Sequence, residues 1–132
     1  MALSIGLYVT PSKEAVKTYM AAFGLELGYH VLNDDGSYYH SELMKDGEEI
    51  MSVVEAARDV RDNPVELGFT FETRGELERA FNLLKVNGRV RLEPSELPWS
   101  PYAAQLTDRF GVDWYLSLPQ HHPPQDFTPA DY

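Results

Sequence analysis

Ala15-Val16-Lys17-Thr18-Tyr19-Met20-Ala21-Ala22-Phe23-Gly24 decides the fold once it is laid over Leu77-Glu78-Arg79-Ala80-Phe81-Asn82-Leu83-Leu84-Lys85-Val86-Asn87-Gly88. Both are amphipathic runs closed by a glycine suited to a helix C-terminus, and Gly24 and Gly88 stand 64 residues apart. The same shift sets Gly47 on Gly111, Tyr38 on Tyr102, Ile50 on Trp114, and Ile5-Gly6-Leu7-Tyr8-Val9 on Phe69-Thr70-Phe71-Glu72-Thr73. Independent markers meeting at one offset indicate an internal duplication.

Working outward from the two helices, each half reads strand, helix, then three strands. Apolar and polar residues alternate over residues 4–9, a helix is predicted from about Pro11 to Phe23, and alternation returns near residues 25–32, 37–45 and 48–54. The first helix is expected to use Thr10 as cap and Pro11 at its first position. The second opens with Thr73-Arg74-Gly75-Glu76, the spacing of a capping box. Asn33-Asp34-Asp35-Gly36 and Asp46-Gly47 supply hairpin turns. Val90 and Leu92 fall one step out of phase with the first copy, a slip expected to be absorbed in the proline-rich connection Glu93–Pro101. The predicted organisation is one domain over 1–118: a first module at about 3–54, a charged linker at 55–64, and a second module at about 65–118. Residues 119–132 form a Pro-rich extended or disordered tail.

Composition narrows the function. The 132 residues, 43% of them hydrophobic, suffice for one core. A net charge of −10 argues against nucleic-acid phosphates and anionic membrane surfaces as partners. The absence of cysteine excludes disulfides, thiolate nucleophiles and Cys-bearing metal sites. No signal peptide or spanning apolar segment is apparent, so a cytoplasmic protein is expected.

The local phrases carry a resemblance. Glu14-Ala15 through Tyr19-x-x-x-Phe23-Gly24, Tyr39-His40-Ser41-Glu42-Leu43, and Leu106-Thr107-Asp108-Arg109-Phe110-Gly111-Val112-Asp113-Trp114, in this order, resemble the vicinal oxygen chelate superfamily of glyoxalase I, bleomycin-resistance proteins and extradiol dioxygenases, most closely its PhnB-like branch. The resemblance implies an α+β fold: two βαβββ modules forming a cup-shaped mixed eight-stranded sheet, helices on the outer face, a pocket inside, and a homodimer. It also implies metal positions on the first and fourth strands of each module, which match Ser4, Met51, Gly68 and Tyr115 here. Those residue types do not make a divalent-metal ligand set, so no metal and no cofactor is expected.

Strand parity assigns a candidate pocket, because residues two apart share a face. With Ile5, Leu7, Val9, Ile50, Phe69, Phe71, Trp114 and Leu116 under the helices, the other face shows Gly6, Tyr8, Tyr38, His40, Glu42, Met51, Thr70, Glu72, Tyr102 and Tyr115. Trp99, between Pro98 and Pro101, is expected to anchor this region. Tyrosines beside Glu42 and Glu72 suit a small organic ligand that is cationic or aromatic. The same tyrosines could instead fill the cup or cover a dimer contact. His40 and Glu42, about 7 Å apart along one strand, are candidate catalytic groups, the alternative being a structural histidine. His121-His122 reads as solvated tail, and Asp34-Asp35-Gly36 as a turn instead of a calcium loop. Three functions stay open: a metal-free binder of a small organic molecule, a metal-dependent or acid–base enzyme of lyase or dioxygenase type, and a dimeric structural module.

Overall fold

The computed structural model describes residues 5–56 and 65–121, so Ser4, the charged linker Arg58, Asp59, Arg61 and Asp62, and the tail from His122 onward lie outside the described residues. The chain divides into two compact units, Met1–Asn63 with Phe110–Val112, and Pro64–Arg109 with Asp113–Tyr132. The eight expected strands and two helices are present, in two mixed four-stranded sheets.

In the first unit β1 (Gly6–Val9), α1 (Ser12–Phe23), β2 (Glu26–Leu32), β3 (Tyr38–Lys45) and β4 (Glu48–Glu55) follow in chain order. They build a sheet of order β1-β4-β3-β2 in which only β1 and β4 run parallel. A helix between β1 and its parallel partner is what a parallel connection requires. Helix α1 lays Ala15, Val16, Tyr19 and Phe23 on Leu7, Val9, Leu43 and Val53, all buried. Phe110, which belongs to this unit, meets the Tyr19 ring edge-on at 5.8 Å.

The second unit repeats the plan with β5 (Glu66–Thr70), α2 (Arg74–Leu84), β6 (Arg89–Leu97), β7 (Ser100–Thr107) and β8 (Asp113–Ser117), in the order β5-β8-β7-β6. Leu77, Ala80, Phe81 and Leu84 of α2 join Ala104, Leu106, Trp114 and Leu116 in a second core. The Trp114 indole donates to Asp108 Oδ2 at 2.8 Å, which satisfies both buried polar groups.

Several local expectations are corrected. Helix α1 is capped by Pro11 and not Thr10, and its first N–H, on Ser12, is satisfied by Glu55 Oε1 at 2.8 Å. In α2, Thr73 Oγ1 accepts from Glu76 N as a cap should, but it also donates to Glu76 Oε1, so the carboxylate does not reach back to the backbone. Gly24 closes α1 in the left-handed conformation (φ 66°), whereas Gly88 caps nothing. There α2 ends at Leu84, Asn87 takes the positive φ, and a Cβ on Gly88 would lie 2.4 Å from the Thr107 carbonyl oxygen. Close backbone approach, not turn geometry, demands this glycine. The phase slip is absorbed within β6, which runs on through Pro94 to Leu97 with three irregularities in its pairing to β7, leaving only Pro98-Trp99 as the turn. Of residues 119–132 only 119–121 are described, and there His121 N donates to Trp99 O at 2.7 Å and Gln120 Oε1 accepts from the Tyr115 hydroxyl.

Candidate functional site

Each sheet has one face under its helix and one open face, and register decides which side chains share the open one. In the first unit Gly6 stands opposite Ser52, and Ser52 opposite Glu42, so β1, β4 and β3 present one row. The next row sets Tyr8 opposite Val54, and the ladder that pairs Ser41 with Val53 brings His40 level with Val54. Beyond it Val31 of β2 pairs with His40. At the centre His40 Nε2 and Glu42 Oε2 lie 2.9 Å apart, the two side chains 33% and 28% exposed. The Tyr29 ring lies 6.1 Å from the imidazole. Tyr8 is 61% and Tyr29 67% exposed, unusual for rings of this size on one face.

Three residues expected on the open faces lie under the helices instead. Tyr38 is 6% exposed, with Lys13 Nζ 4.5 Å from its ring centroid and His30 meeting its edge. Pairing passes from Val31–His40 directly to Leu32–Tyr38, so Tyr39 is an extra residue and turns Tyr38 toward α1. Met51, 4% exposed, packs beside Leu43 and Val53: the regular pairs Leu43–Met51 and Ser41–Val53 set it two residues from Val53 on the helix side, and the irregularity at Ile50 comes only after it, where pairing passes to Met44–Glu49. Tyr102 shares the parity of Ala104 and Leu106, donates to Glu78 Oε1 at 2.8 Å and lies under Arg74. The Glu78 carboxylate, with burial second, raises its phenol above the ordinary tyrosine value. Tyr38 and Tyr102 thus occupy matching places, each beneath a cation of its own helix.

In the second unit Gly68 pairs with Tyr115 and Thr70 with Ser117, so Thr70 and Tyr115 do lie on the open face, while Glu72 is exposed beyond the end of β5 in the turn to α2. Trp99 Nε1 donates to the Tyr115 hydroxyl at 3.0 Å, and that hydroxyl donates to Gln120 Oε1 at 2.9 Å. Burial, reinforced by the Glu66 charge and opposed by the Trp99 bond, raises the Tyr115 phenol. Beside it Arg91 meets Glu66 at 2.8 Å, Gln105 donates to the same carboxylate, and Thr107 donates to Asp113. This face is a closed hydrogen-bond network, whereas the first unit's open face is aromatic.

Sequence reasoning missed Tyr29, Arg91, Glu66, Gln105 and Gln120. Plain alternation along β2 would put Tyr29 on the face of Leu27, but the irregularity between Leu27 and His30 separates them. An isolated glycine inside a strand, Gly28, is the available signal of that bulge. Arg91, Glu66 and Gln105 meet only through the β5-β8-β7-β6 order, for which no local pattern stands.

The duplicated βαβββ frame, each helix on one face of a mixed four-stranded sheet, defines the glyoxalase-type α+β fold. The sequence profile described as Glyoxalase/Bleomycin resistance protein/Dioxygenase superfamily matches residues 3–116, and the chain belongs to that superfamily. Among solved structures it is similar to the PhnB protein from Bacillus cereus (22% identity, TM-score 0.76, covering 89% of this chain and 99% of that one). It is also similar to protein PA1353 from Pseudomonas aeruginosa (20%, 0.73, 89% and 98%). A third likeness is to the fosfomycin resistance protein FosX from Listeria monocytogenes, complexed with Mn(II) and sulfate (12%, 0.65, 90% and 90%). Comparison with curated proteins returned no match.

The described residues at the positions that the resemblance implies for a metal do not suit a divalent ion. Gly68 brings no side chain, Met51 lies beneath α1, and the Tyr115 oxygen is a phenol held between Trp99 and Gln120. Among the described residues no three His, Asp or Glu side chains converge.

Proposed function

We propose that this protein holds a small organic molecule, cationic or aromatic, against the open face of its first sheet, without a metal. The observation that carries the reading is the pair of exposed rings, Tyr8 and Tyr29, set on either side of the His40–Glu42 pair. Single exposed apolar residues need no explanation, but two rings sharing one face with Val31 and Val54 form a surface that gains by being covered. Their π faces and the Glu42 carboxylate suit a flat, electron-poor or positively charged partner. Donor chemistry at Gly68, Met51 and Tyr115 supports the metal-free part. The reading places the protein in the cytoplasm, as a homodimer, and the net charge of −10 supports neither nucleic acid nor an anionic membrane as partner. No helix among the described residues is long and apolar enough to cross a membrane.

A thermal-shift screen of aromatic amines and neutral heteroaromatics tests it. A ligand at one hundred times its Kd should add about 2.7 kcal/mol of stability, and Tyr8→Ser should abolish the shift. Stoichiometric zinc, nickel or manganese retained after growth in supplemented medium would overturn the metal-free reading. If Tyr8→Ser converts a dimer to a monomer and leaves every ligand shift intact, the face is a subunit contact instead.

A further inference from the structure

Asn87 is the chain's only asparagine followed by glycine; Asn33, Asn63 and Asn82 precede Asp34, Pro64 and Leu83. In an Asn-Gly pair no Cβ hinders the glycine nitrogen from reaching the side-chain amide carbon and closing a five-membered imide. Asn87 and Gly88 are both exposed, in the turn that carries the chain from α2 into β6. Asn87 there takes a positive φ of 56°, which asparagine tolerates better than most residues. The closed turn opposes the imide in two ways. Gly88 N, the atom that would attack, donates its proton to Lys85 O at 2.9 Å. Gly88 is also seated so tightly that a Cβ would lie 2.4 Å from the Thr107 carbonyl oxygen and 3.1 Å from Asp108 Cα, and Arg89 next to it is already paired with Thr107. The Gly88 backbone therefore cannot swing onto the Asn87 amide until the turn opens.

We infer that Asn87 is the deamidation site of this protein, and that the α2–β6 turn sets the rate by admitting the reaction only when it opens. Gly88 N gives up its proton and bonds to Asn87 Cγ; the carboxamide C–N bond breaks, and ammonia leaves carrying that proton. Water then adds across one of the two imide C–N bonds. Opening at Cγ restores the ordinary backbone with aspartate at 87. Opening at the main-chain carbonyl carbon leaves the chain running through Cγ as isoaspartate, with the α-carboxylate as side group. Isoaspartate lengthens the main chain by one atom beside a glycine whose fit against Thr107 already excludes a methyl group. The turn cannot close over it, so the step is one-way. The other Asx-Gly pairs, Asp35-Gly36 and Asp46-Gly47, carry no amide to lose, and Asp35 Oδ1 is held by Ser37 N and Oγ at 2.9 and 2.6 Å.

The test is to age the intact protein in mildly alkaline buffer with and without denaturing urea. Peptide mapping by mass spectrometry locates the product, and labelling by an isoaspartyl carboxyl methyltransferase counts it. Isoaspartate is expected at residue 87 before any other, formed at least about tenfold more slowly in the folded chain than in urea. The isoaspartyl fraction, separated by ion exchange, should melt earlier than unreacted protein. Asn87→Asp gains the same charge on an ordinary backbone and tolerates the positive φ, so it should melt with the natural chain. Asn87→Gly should accumulate no isoaspartate in this turn; the urea comparison on the natural chain stands whether or not that variant folds. Equal rates with and without urea overturn the protecting turn. Isoaspartate arising first at Asp35 or Asp46 overturns the site. An isoaspartyl fraction that melts with the natural chain overturns the mismatch at Thr107.

Discussion

Replacing Met51 with alanine tests the face assignment on which the candidate site depends. Met51 is 4% exposed, wedged beside Leu43 and Val53, neither of which has accessible surface, and beneath α1. Removing its three terminal heavy atoms takes away their burial and leaves a cavity that strands on both sides keep from collapsing, at a cost of about 2–4 kcal/mol. For a chain of 132 residues that is roughly 6–12 °C in Tm, at about 3 °C per kcal/mol. Ile50, its unpaired neighbour, is only half-buried, so Ile50→Ala should cost about 1 kcal/mol. Urea unfolding followed by far-ultraviolet circular dichroism measures both. A larger loss for Ile50→Ala than for Met51→Ala would refute the face assignment and return Met51 to the open face.

Two further outcomes follow from described contacts. Burial pushes the Glu55 carboxyl up, but hydrogen bonds from Thr10 and Ser12 outweigh it and hold the group below its ordinary value of 4.5. A depressed carboxylate stabilises the fold above its unfolded pKa, so this contribution is present at neutral pH and fades as pH falls below about 4.5. The stability difference between the natural chain and Glu55→Gln, read from urea midpoints, should therefore shrink between pH 6 and pH 3.5, and a constant difference would refute the linkage. Gly88→Ala should cost more than about 2 kcal/mol, since its Cβ would strike the Thr107 carbonyl, whereas Gly75→Ala, in the first turn of α2 with open space around it, should add up to about 1 kcal/mol. Equal melting temperatures for the two variants would contradict the close approach.

The architecture was legible because it is written twice. Alternation, the helix stripes and the turns at Gly36 and Gly47 each had a counterpart in the other half or a local steric reason. The open face was legible only where the ladders run without interruption. Tyr8, His40, Glu42, Thr70 and Tyr115 are reached by counting in twos along regular pairing. Tyr38 and Tyr29 lie next to bulges, and one inserted residue inverts every parity beyond it; Met51 alternates regularly with Val53 and is misplaced because the 64-residue shift sets Ile50 on Trp114. A bulge is set by how two strands pair, so residue types along one strand rarely announce it; Gly28 is the exception.

Both tryptophans of this chain belong to the second unit, Trp114 sealed in its core against Asp108 and Trp99 hydrogen-bonded to Tyr115. Intrinsic emission on selective indole excitation is therefore a one-sided witness: it reports the later copy and is blind to the half that bears His40. Divergence of the fluorescence and circular dichroism denaturation curves would reveal whether two halves built alike also come apart together.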